Sequence, residues 1–135
     1  MLVVLGLALY QYYHVERDRV DDGHNGADNT VQLAYAAQRS GVWLETSGRV
    51  IRVLRDDNEG SRHQKFILEL DDGHSVLVAH NVDLARRIPL RQGLSLTLRG
   101  RYEWNDRGGV IHWTHHDPEG REQGGWIDVD EVRYE

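Results

Sequence analysis

Six of the eight histidines in this chain follow residue 62: His63, His74, His80, His112, His115 and His116. Neutral imidazole and carboxylate are the donors for zinc or a similar divalent transition metal that remain to a chain without cysteine. The same rings titrate near neutral pH, so a group of them could instead act as general acid and base. His112-Trp113-Thr114-His115-His116-Asp117 gathers three imidazoles and a carboxylate in one short run. That spacing does not by itself define a metal motif, and the elements carrying these residues must decide what meets what.

Val42–Leu54 alternates apolar and polar residues and reads as a long strand. Gly48 inside it predicts a bulge or sharp bend, as needed when one strand serves both halves of a barrel. Gln64–Leu70 also alternates, with Phe66, Leu68 and Leu70 on one face. Asp71-Asp72-Gly73 is a tight hairpin turn into a partner strand, His74–His80. Asn81–Leu90 reads as a short helical connection closed by Pro89. Leu94–Trp104 is a fourth strand, Asn105–Gly109 a turn and Val110–Thr114 a fifth strand. A short helix, Val31–Arg39, precedes them, with Asn29 or Thr30 as its cap and Gly41 past its end. The fold class is therefore mainly β. Five short strands with a helical link between the third and fourth outline an OB-type barrel preceded by one short helix. A five-stranded open sheet with one helix is the alternative. In the glycine-rich tail after Pro118, Trp126, Ile127, Val129 and Val132 suit a last strand that caps the barrel.

On such a barrel His63 opens the second strand and His80 ends the third, so a hairpin puts both at one pole. A fifth strand parallel to the third brings His112, His115 and His116 to the same pole, with Asp117 beyond, while His74 lies at the opposite end. The candidate metal set is His80, His112, His115 and Asp117. The candidate ligand-binding set is Arg62, His63, His80 and Asn81 with Glu103, Trp104 and Asn105, the last three offering carboxylate or stacking ring beside the turn between strands four and five. Period-2 geometry limits both ideas, because His112 and His115 face opposite ways on a regular strand. Trp43, Trp113 and Trp126 read as core or barrel-end packing. Arg86, Arg87 and Arg91 would clamp an anion or simply meet solvent.

With 135 residues the chain has room for one domain, placed at 30–135 behind a polar linker, 14–29, and a hydrophobic signal or anchor segment, 1–13. The apolar run Leu2–Tyr10 is too short to span a bilayer as a helix, yet it has the length of an export-signal core, with Tyr10, Tyr12 and Tyr13 suited to an interface. Membrane association or export, and hence a periplasmic or inner-membrane-anchored place in the cell envelope, is the expectation, for a monomer. The net charge of −6, from 22 acids against 16 bases, argues against coating duplex DNA.

The stretches DDNEGSRHQKFILEL (56–70), VAHNVDLARRIP (78–89), YEWNDRGGVIHWTHHDPEG (102–120) and GGWI (124–127) resemble the bacterial domain-of-unknown-function family 3465. The resemblance implies short bacterial proteins with an N-terminal hydrophobic segment and no established activity. The residues then favour a non-catalytic envelope-side OB binding module for a small ligand, an oligosaccharide, a single-stranded nucleic acid or a protein. The alternative is a metal-dependent phosphodiester hydrolase built on the histidine pole, with Glu103, Asp106 and Asp117 for the metal and Arg62 for the phosphate. A metal chaperone using the histidines is a third reading.

Overall fold

The computed structural model describes residues 27–135. The apolar segment Met1–Tyr13 and most of the expected linker lie outside the described residues. Helix α1 spans Ala27–Ala36, so it begins inside the stretch read as linker. It is capped just past its end by Gln38, which takes a positive φ of 54°, while the Arg39 amide donates to the Ala34 carbonyl at 2.9 Å. This left-handed cap stops the helix before Gly41 is reached. Gly41 instead leads into the first strand, its amide bonded to the Tyr102 carbonyl at 2.8 Å.

Five strands follow: β1 (Val42–Val53), β2 (His63–Glu69), β3 (Ser75–Asn81), β4 (Ser95–Glu103) and β5 (Val110–His112). They pair in the order β1-β2-β3-β5-β4 and close through β1–β4, with β3–β5 the parallel pair. This is the expected OB-type barrel, and closure leaves these strands no free edge along the wall. β1 pairs with β4 from Val42 to Arg49 and with β2 from Arg49 to Val53. The changeover falls at Gly48, where a Cβ would collide with the Glu69 carbonyl. Only glycine lets the two backbones cross this closely.

Alternation fills the interior. Phe66, Leu68, Val78, Leu98, Tyr102 and Ile111 are fully buried, each such side chain stabilising the fold by about 1.5–3 kcal/mol. Val31 and Ala34 of α1 join the same core. At that end of the barrel Tyr35 meets the His74 ring edge-on at 5.0 Å.

The structure departs from expectation in two places that matter for the site. The connection 82–94 forms turns rather than a helix. The fifth strand is also shorter than expected, because Trp113 adopts φ 57°, an unusual conformation for a bulky residue, and turns the chain off the wall. The chain returns as β6 (Trp126–Val129), which pairs with β4 beyond the point where β5 left it: Arg101 faces His112, and Arg99 faces Trp126. A tight turn at Asp130-Glu131, both at positive φ, leads to β7 (Val132–Tyr134). The tail therefore widens the barrel wall instead of capping its end. Loop 113–125 is pinched shut at its base, where the Gly125 amide donates to the His115 carbonyl at 2.8 Å. A Cβ at Gly125 would meet the carbonyls of Trp113 and Arg99.

Candidate functional site

His80 shares the inward face of β3 with Val76 and Val78 and is fully buried opposite Gln64 of β2. Its Nε2 lies 2.9 Å from the Arg86 carbonyl, which can only accept, so Nε2 carries the proton. Nδ1 then accepts from the Thr114 hydroxyl at 2.8 Å. Burial holds His80 below the usual imidazole range, partly opposed by the Arg86 bond, with His115 and His63 close enough to disfavour a further charge. Gln64, also buried, takes the Ile88 amide at 2.7 Å and donates to the Ile88 carbonyl at 2.9 Å. These two side chains explain the missing helix. A helical connection would satisfy its own backbone, whereas here His80 takes up the Arg86 carbonyl and Gln64 satisfies the buried backbone of Ile88. Both nitrogens of His80 are thus committed to structure.

The remaining candidates are also engaged. His63 Nδ1 donates to the Ser61 carbonyl at 2.9 Å. Arg62 bonds Asp83 through its side chain at 3.2 Å, and its backbone amide contributes most to holding the Asp83 carboxyl below the ordinary range. Asn81 accepts the Asp83 amide at 2.9 Å. These four residues, with His80, do gather at one pole. Glu103, Trp104 and Asn105 do not join them: Glu103 pairs with Val110, which lies beside Leu77, and Gly108 accepts from His74 at 3.0 Å. That places the β4–β5 turn beside the start of β3, whereas Asn81 is at its end. Trp104 packs against the core, its amide bonded to Ser40, and Asn105 shapes its own turn by accepting the Arg107 and Gly109 amides. The expected seven-residue ligand set is therefore split between the two ends of the barrel.

The expected metal set does not assemble. His80 points inward, whereas His112, one residue after buried Ile111, points outward and meets Glu103 at 3.2 Å. His115 is buried by loop 113–125; its Nδ1 donates to the His116 carbonyl at 2.7 Å, and desolvation lowers its proton affinity. The Asp117 carboxylate accepts the backbone amides of Glu119, Arg121 and Glu122, the first of these contributing most to its lowered pKa. Among the described residues no group of three or more His, Asp or Glu is arranged to hold a metal ion. His80 inside the barrel and His112 outside it lie on opposite sides of the wall, and both nitrogens of His80 and Nδ1 of His115 are committed to other partners.

A different surface emerges on the outer wall of β1, β4 and β6. Trp43, Trp113 and Trp126, read from sequence as packing, are half-buried, and Trp43 and Trp126 project outward by strand alternation. Trp113 meets Trp43 edge-on at 6.0 Å and stacks on His115 at 5.6 Å. The Arg99 guanidinium covers Trp43 at 5.1 Å, and Arg133 covers Trp126 at 4.1 Å. The signal for Trp43 was present in the sequence, since Val42 and Leu44 bracket it on the opposite phase. Two residues beyond Trp126 on the same face, Asp128 reaches an open cleft of about 640 Å³ lined also by Ser47, Gly48, Thr97, Glu69 and Glu131. The Ser47 and Thr97 hydroxyls bond each other at 2.9 Å there.

No curated relative matches this chain. The family model described as "protein of unknown function (DUF3465)" matches residues 20–135, in agreement with the stretches that carried the resemblance. The described residues form a closed five-stranded barrel with two added strands and one short helix, and by the match over residues 20–135 the chain belongs to the DUF3465 family.

Proposed function

We propose that this domain is a non-catalytic binding module acting on the envelope side of a bacterial cell, and that its ligand lies on the outer wall of β1, β4 and β6. The observation that carries this reading is the set of three half-buried indoles, interleaved with Arg99 and Arg133, beside a cleft. Large amphipathic rings left part-exposed on a rigid sheet give contact area with little loss of side-chain freedom on binding. Trp113 keeps a strained backbone conformation to hold its ring against Trp43, and such outliers cluster at binding sites. The outward face of β2 and β3, where OB barrels often hold ligands, carries Lys65, Ile67, Leu77 and Ala79 and offers less to stack upon. The apolar run Leu2–Tyr10 supports export or anchoring.

The test is a panel of soluble glycans, single-stranded oligonucleotides and peptides presented to the full-length protein. Binding weakened at least tenfold by Trp43→Ala and Trp126→Ala, and unchanged by His63→Ala, places the ligand on the outer wall. Binding lost with His63→Ala and untouched by the tryptophan changes would return the site to the histidine pole.

A further inference from the structure

Resting on that reading, we propose that the ligand is an uncharged oligosaccharide laid along the strands, from the Trp43–Trp113 pair past Trp126 into the cleft at Ser47 and Thr97. Three observations converge on this chemistry.

The first is order along the wall. Cross-strand register stacks three outward rows: Trp43 with Arg101 and His112, then Glu45 with Arg99 and Trp126, then Ser47 with Thr97 and Asp128. Four residues of strand separate the first row from the third, roughly 13 Å at about 3.3 Å per residue. The track is thus a line rather than a pocket, suited to a chain of repeating rings.

The second is charge. Arg99 stands opposite Glu45, Arg101 meets Glu103 at 3.4 Å, and Arg133 grips Asp128 with two bonds of 2.8 and 2.9 Å. Arg101 and Arg133 thus have carboxylate partners, and Arg99 donates to the Gly124 carbonyl at 2.9 Å. A nucleic acid strand needs a surplus of cations along its backbone, whereas the cleft end of this wall sets Arg49 among Glu69, Asp71, Asp128, Asp130 and Glu131. The chain's net charge of −6 points the same way.

The third is the mixture of groups. Sugar rings present apolar C–H faces and hydroxyls that both donate and accept. The indoles match the first. Paired guanidinium and carboxylate groups match the second, because a hydroxyl can donate to the acid and accept from the base without either losing its partner. The bonded Ser47 and Thr97 hydroxyls extend the same chemistry into the cleft.

The experiment is isothermal titration of the full-length protein with cellohexaose, chitohexaose and laminarihexaose, and with a fifteen-residue oligothymidylate as the polyanion. The expected result is micromolar to millimolar binding of at least one hexasaccharide, little changed between 50 and 500 mM salt. It is weakened at least tenfold in Trp43→Ala and Trp126→Ala, with partial recovery in Trp43→Phe and with every variant still folded at the assay temperature. Salt-sensitive binding of the oligothymidylate, lost in the same variants, would overturn the sugar assignment while leaving the outer wall as the binding surface. Sugar binding that survives both tryptophan changes would overturn the placement on this wall. Silence of all three hexasaccharides to 10 mM would overturn the inference itself.

Discussion

Gln64 carries a prediction that can be worked through in numbers. Its side chain makes two bonds to the backbone of Ile88, at 2.7 and 2.9 Å, and both residues are at least 96% buried. Gln64→Leu keeps the volume and removes both partners. The Ile88 amide is then left buried and unsatisfied, at about 1–3 kcal/mol, while the Ile88 carbonyl loses one bond but still accepts the Leu90 amide at 2.8 Å. The greater hydrophobicity of leucine offsets part of this, so the net loss is about 1–3 kcal/mol against a total stability of roughly 5–15 kcal/mol. The midpoint should fall by about 4–12 °C at roughly 4 °C per kcal/mol. Urea unfolding followed by indole fluorescence reads the change, with an unaltered denaturant slope. Gln64→Glu sharpens the test. Ionised, the acid still accepts from Ile88 but sets a second oxygen against the Ile88 carbonyl; protonated, it copies the amide. Its folded pKa is thus raised above the unfolded value, and its stability is present at low pH and lost as pH rises through that folded pKa. A loss under 1 kcal/mol for Gln64→Leu would show that residues 86–88 find other partners, and the account of the helix-free connection would fail.

His80 sets an opposite pH dependence: burial lowers its folded pKa below the reference of 6.5, so the unfolded chain takes the proton first and stability drops as pH falls through 6.5. His115 adds in the same direction, and His80→Ala should cost about 2–4 kcal/mol at pH 8 while flattening the dependence between pH 7 and 5, as thermal scans across that range would show. Asp117→Ala removes the acceptor of three amides in an exposed loop, so hydrogen exchange at Glu119, Arg121 and Glu122 should quicken with little change in the global midpoint. Gly125→Ala sets a methyl against the Trp113 and Arg99 carbonyls, and a destabilisation of about 1–3 kcal/mol in urea is expected.

The hairpin at Asp71–Gly73, the bend at Gly48 and the parallel return of β5 were legible because local turn chemistry and barrel closure require them. The histidine pole was half legible. His63 and His80 do share an end, but the phase that puts Val76 and Val78 inside puts His80 inside with them, where its nitrogens serve the backbone. The connection 82–94 misled because Leu84, Ala85 and Ile88 have helical spacing, while the side chains that replace helical bonds come from β2 and β3, distant in sequence. Nothing local announces that Trp113 will take a left-handed conformation and end β5, since that depends on its packing with Trp43 and His115. The outward tryptophans were legible in phase and masked by their hydrophobicity, which drew them towards a core reading.

The most direct test of the outer wall is oxidative footprinting of the tryptophans by mass spectrometry, with chitohexaose, cellohexaose and the oligothymidylate added in turn to the full-length protein. Trp43 and Trp126 should become protected together by a hexasaccharide, with Trp104, just past the end of β4 and packed against the core, unchanged. Protection confined to Trp104, or a ligand that binds and leaves Trp43 and Trp126 as reactive as before, would contradict a binding face on β1, β4 and β6.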